Sequence, residues 1–128
     1  MRHFLMFLMA VAFPVSAHHS FTAEYDSNKP VTITGTVTKL EWTNPHARMY
    51  VDMKDASGTV TSWELEMGSP NILLRYGWKR EAIKVGDSVT VEGYLARNGS
   101  KTANAKTVKF ADGRTVSAGS SRDLEETK

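Results

Sequence analysis

A chain of 128 residues carries 16 basic and 14 acidic side chains, interspersed to a formal net charge of +2, and has no cysteine. Nearly cancelling, scattered charge argues against a polybasic nucleic-acid or membrane surface, and no nucleic-acid partner is expected. The absence of cysteine excludes a disulfide framework, thiolate metal sites and thiol nucleophiles.

The chain opens with Met1-Arg2-His3, a short positive start, followed by an almost unbroken apolar run from Phe4 to Val15 and the small residues Ser16 and Ala17. A basic start, an apolar run and small residues before a cut are the three parts of a secretory signal, so residues 1–17 are expected to be a cleaved signal peptide. The run is shorter than the ~20 apolar residues a spanning helix needs, which disfavours an uncleaved anchor. No cysteine at the cut could carry a lipid, and nothing later is apolar enough to span a bilayer. The processed chain, beginning at His18, is expected to be a soluble periplasmic or secreted protein. Its length suits a single domain with its own core.

Residues 18–30 have little periodicity and are expected to form an N-terminal arm. From Val31, apolar or small residues (Val31, Ile33, Gly35, Val37) alternate with threonines, the pattern of a half-buried strand. The phase slips before Leu40 and Trp42, which predicts a bulge near Lys39. Asn44-Pro45 marks a turn. A second strand follows, with Ala47, Met49, Val51 and Met53 on one face. Asp55 to Gly58 makes a hairpin turn into a third strand, Thr59 to Met67, in which Trp63 and Leu65 oppose Glu64 and Glu66.

Ser69 suits a helix cap, Pro70 a first helical position and Gly77 a helix end, so a short helix of about two turns is predicted. A further helical turn is expected around Arg80 to Ile83. Gly86-Asp87 leads into a strand with Val89, Val91, Gly93 and Leu95 on one face. Asn98-Gly99 is a hairpin signal, Thr102 to Phe110 forms the returning strand, and Asp112-Gly113 starts a short extra one ending near Val116. Residues 118–128 are small, polar and charged, and are expected to be disordered. The fold class is mainly β. Residues 31–117 are expected to form an OB-fold-like barrel of five or six strands, with one short helix between strands 3 and 4. A β-sandwich would normally need about seven strands.

Cleavage after Ala17 gives His18 a free α-amine beside its imidazole. The amine and Nδ1 of one residue can chelate a single metal ion, and a second imidazole would complete three nitrogens, a set that suits Cu(II). The arrangement resembles the histidine brace of secreted copper proteins. His19 and His46 are the other histidines of the processed chain. In an extended arm His18 and His19 would point to opposite sides, so His46 is the better partner and His19 a third candidate. Asp26, Glu24 or Glu41 could add an oxygen.

Met49, Met53 and Met67 are better explained by core packing than by Cu(I) ligation. Trp42, Trp63 and Trp78 are better core anchors or rim residues than stacking platforms. Tyr50, Tyr94, Arg48, Glu64 and Glu92 are expected on the outward face, a ligand surface in many barrels of this kind. No nucleophile motif, phosphate loop or zinc-binding helix is present, so catalysis has no positive support beyond copper redox chemistry.

His18-His19-Ser20-Phe21, Trp42-Thr43-Asn44-Pro45-His46, Gly68-Ser69-Pro70-Asn71, Gly77-Trp78 and Val85-Gly86-Asp87 occur in this order. Together they resemble a family of small exported bacterial proteins classed as a domain of unknown function. The resemblance implies a periplasmic protein of proteobacterial type and brings no activity or ligand. The functional expectation is copper binding or handling through His18, His46 and His19. The alternative is a cell-envelope module that binds a protein, sugar or small ligand, with no metal role.

Overall fold

The computed structural model describes residues 18–126, with side chains described for residues 21–123. The expected signal peptide, residues 1–17, lies outside the described residues. In chain order the elements are α1 (His18–Glu24), β1 (Tyr25–Glu41), β2 (Arg48–Lys54), β3 (Val60–Glu66), α2 (Pro70–Arg75), β4 (Ser88–Ala96), β5 (Thr102–Phe110), β6 (Thr115–Ser117) and α3 (Ser121–Glu126). The strands form one sheet in the order β3-β2-β1-β4-β5-β6, antiparallel throughout, and a parallel pairing of β3 with β5 closes it into a ring. Closure removes edges that would otherwise expose unpaired backbone groups. Among the described residues, no helix is long and apolar enough to cross a membrane.

The long strand β1 makes the ring possible. It pairs with β4 along its first part and with β2 along its second, and Thr36 pairs with both. The bulge expected near Lys39 lies between Val37 and Lys39. The extra residue turns the strand, so that Val37 before it is buried while Leu40 and Trp42 after it still pack against the core. The alternating faces of the other strands fill the ring with Ile33, Met49, Val51, Leu65, Val91 and Val108, all essentially inaccessible. Met49 and Met67 are buried core residues, as are Trp63 and Trp78. Trp78 Nε1 donates to the Ser117 carbonyl at 2.8 Å.

Helix α2 sits between β3 and β4, as expected. Ser69 Oγ accepts from the Ile72 amide, Pro70 occupies the first turn, and Gly77 (φ +92°) follows the end. The segment 80–83 is a turn, with Ala82 N–H donating to the Lys79 carbonyl, and not a further piece of helix. Four residues with no partner helix cannot repay the ordering of a separate helical nucleus.

Both ends of the chain differ from expectation. The arm 18–30 contains a helix, α1, and the first six residues of β1. At the other end, Ala118, Gly119 and Ser120 are buried, where disorder was expected. Ala118 pairs by backbone hydrogen bonds with Lys106 and Gly68, and Ser120 Oγ donates to the buried Asn104 Oδ1 at 2.6 Å. Small side chains let this segment run against Gly68, and α3 then packs beside α1.

Candidate metal-binding cleft

His46 follows the Asn44–Pro45 peptide, which is cis, and leads into β2. Its backbone surroundings are pinned: Ala47 N–H donates to the Gly68 carbonyl and Met67 N–H to the Ala47 carbonyl, both at 2.9 Å. The imidazole Nδ1 lies 3.2 Å from the Met67 carbonyl oxygen. A carbonyl oxygen only accepts, so Nδ1 carries the proton. In the neutral ring Nε2 then keeps its lone pair, the state a metal ligand requires. Glu66 Oε1 is 3.9 Å from the same Nδ1.

Glu66 is held in turn. The Tyr25 hydroxyl donates to its Oε2 at 2.8 Å. Burial, and then the Glu66 carboxylate, push the Tyr25 hydroxyl's pKa well above its ordinary value of 10.0. A raised pKa means the folded chain keeps a proton that the unfolded chain releases. The associated stability is complete below pH 10 and is lost as the pH rises beyond it. Tyr25→Phe is therefore expected to lose stability less steeply than the wild type between about pH 9 and 11. Urea unfolding at a series of pH values measures this, and parallel profiles would refute it.

His46, Glu66 and Tyr25 share a cleft of about 220 Å³ with Phe21, Glu24, Pro45, Arg48 and Ser121. One wall is α1, and Ser121 of α3 contributes to the rim. Arg48 is drawn to Glu64, with an N···O distance of 2.6 Å, and this contact holds the guanidinium in its charged form. A second, more open groove of about 490 Å³ runs past the end of α1, between Ala23, Glu24 and Tyr25 on one side and Ala96, Arg97, Asn98, Ser100 and Thr102 on the other.

The candidate ligands separate clearly. His46 lies in the cleft, and His18 begins the helix that walls it, one turn before Phe21. The side chains of His18 and His19 lie outside those described. Glu24 lines the cleft, whereas Asp26 bonds the Asn28 amide and faces Arg97, and Glu41 pairs with Lys39 at 2.8 Å. Among the described residues no group of three or more His, Cys, Asp or Glu side chains gathers to hold a metal. Glu66 is the residue that the sequence argument passed over. Strand alternation marked it only as polar, and its contact with Tyr25 spans 41 positions.

Tyr94 was expected on the outward face with Tyr50, Arg48, Glu64 and Glu92. Its phase in β4 is the outward one, yet it is buried against Phe21, Tyr25 and Ala96, because α1 covers that part of the ring. The others form the expected polar surface, where the Tyr50 hydroxyl and Arg48 both reach Glu64.

The fold is that of the OB class. The chain is similar to the mitochondrial single-stranded DNA-binding protein Rim1 of S. cerevisiae, an OB-fold protein, with a TM-score of 0.52 and 12% identity over 65% of this chain and 93% of that one. This overturns the expectation that nucleic acid is excluded. The similar protein is a single-stranded DNA-binding protein on the same fold, so such a partner is not excluded for this fold. No curated protein matches the chain. A family model does, across residues 6–119: the chain belongs to a family of unknown function, DUF6152.

Proposed function

We propose that this is an exported periplasmic protein that binds Cu(II) through the α-amine and imidazole of His18 and through Nε2 of His46. The observation that carries this reading is the setting of His46. Metal-ligating histidines characteristically donate their other ring N–H to a carbonyl or carboxylate, which fixes the tautomer and the ring. Here Nδ1 faces the Met67 carbonyl at 3.2 Å with Glu66 alongside, in a cleft walled by the helix that begins at His18. His19 is a spare nitrogen donor on the same helix. The described side chains do not complete a site by themselves, so the reading requires the processed amino terminus.

Titration of Cu(II) into the chain beginning at His18, against a competing chelator and with electron paramagnetic resonance, tests the proposal. His46→Ala is expected to weaken binding by at least about tenfold and to remove one nitrogen from the spectrum. Unchanged affinity and spectrum would sink the reading. The open groove beside α1 would then favour the alternative, an envelope module for a protein, sugar or small ligand.

A further inference from the structure

Helix α1 has seven residues, too few to persist in water without tertiary packing. A small cluster, separate from the interior of the ring, holds it in place: Phe21, Tyr25, Tyr94 and Ala96, all buried. The Phe21 ring meets Tyr94 edge-on, with centroids 5.8 Å apart and planes at 89°, and lies 5.8 Å from Tyr25. Arg122 of α3 lies over the Tyr94 ring at 4.9 Å and donates to its hydroxyl. At the end of α1, Arg97 Nε donates to the Thr22 carbonyl at 2.7 Å and Arg97 N–H to the Glu24 carbonyl at 2.8 Å. These bonds satisfy carbonyls that a helix terminus leaves unpaired.

Phe21 belongs both to this cluster and to the cleft that holds His46. We infer that Phe21 is a positioning residue for the copper site, docking α1 so that the amino terminus is held at His46. This rests on the copper reading above. An undocked terminus can still chelate copper through one residue, but recruiting His46 then costs the ordering of the whole segment. Docking in advance removes that cost and raises the effective concentration of the terminus at the cleft.

The inference predicts coupling between Phe21 and His46. In the chain beginning at His18, Phe21→Ala is expected to weaken Cu(II) binding by about tenfold. In a His46→Ala background the same change is expected to have no further effect, because the remaining chelate needs no positioning. Phe21→Leu, which keeps most of the packing, should restore most of the loss. Arg122→Ala removes the cation over Tyr94 and its hydrogen bond to the hydroxyl, and should give a milder version of the same pattern. In metal-free protein, hydrogen exchange of the α1 amides should accelerate in Phe21→Ala while the strands stay protected.

A copper site that depends on His46 but is indifferent to Phe21→Ala overturns the inference alone. So does a loss of equal size with and without His46. A wild-type site indifferent to His46→Ala overturns the copper reading, and the inference with it.

Discussion

Acetylating the α-amine of the chain that begins at His18 is expected to lower its Cu(II) affinity by about a hundredfold or more. An α-amine has a pKa of about 7.7–8.0 against about 10.4 for lysine, so reagent added near neutral pH modifies the terminus first. The acetyl group converts one of the proposed donors into an amide and leaves two imidazoles on separate elements, with no chelate between them. The same donors set the pH dependence. Protons compete with copper for its nitrogen donors, so affinity should fall as the pH is lowered. Intact mass before and after acetylation shows where the mature chain begins and that a single group was added, and competition with a chromophoric chelator then gives the affinity. Acetylated protein that binds as tightly as free protein would remove the amine from the site and with it the reason for placing copper there. Extending the chain by one residue is a less direct test. It leaves a free amine with imidazoles at the second and third positions, which can build a different copper site.

The parts of this fold legible in the sequence are those set by neighbours in the chain. Period-two alternation around Ile33, Val51, Leu65 and Val91 gave the faces of the strands, and its slip after Val37 gave the bulge. Ser69, Pro70 and Gly77 framed α2 through backbone chemistry that operates within a few residues. The ends were not legible, because their order comes from distant partners. Phe21 is fixed by Tyr94, and Ser120 by Asn104, and no local pattern announces either contact. The candidate site divides in the same way. His46 stood out because so few histidines are present and because it follows a rigid Asn-Pro turn. Glu66 did not, since alternation places it on the outward face and only the covering helix gives that face a role. Tyr94 was assigned the right phase and the wrong environment for the same reason.

The largest stability effect is expected at a residue with no side chain. Gly35→Ala should destabilise the protein by at least about 3 kcal/mol, beyond the ordinary range for a single added methyl. Gly35 lies in β1 opposite Val89 of β4, one residue before Thr36, which begins the ladder with β2. A Cβ there would lie 2.1 Å from the Asp52 carbonyl oxygen, 2.8 Å from its carbon and 2.9 Å from Val51 Cγ1. Two of those atoms are backbone, and Asp52 is the residue paired with Thr36. Relief therefore requires moving β2 away from β1 at the point where one strand serves both parts of the ring. Gly99→Ala separates this cause from the general cost of replacing a glycine. Gly99 has φ +76° and nothing within 4 Å of an added Cβ, so its cost is conformational, on the order of 1–2 kcal/mol. Urea denaturation of the two variants should place the midpoint of Gly35→Ala well below that of Gly99→Ala. The reverse order would mean that β1 and β2 can separate at little cost at this crossing.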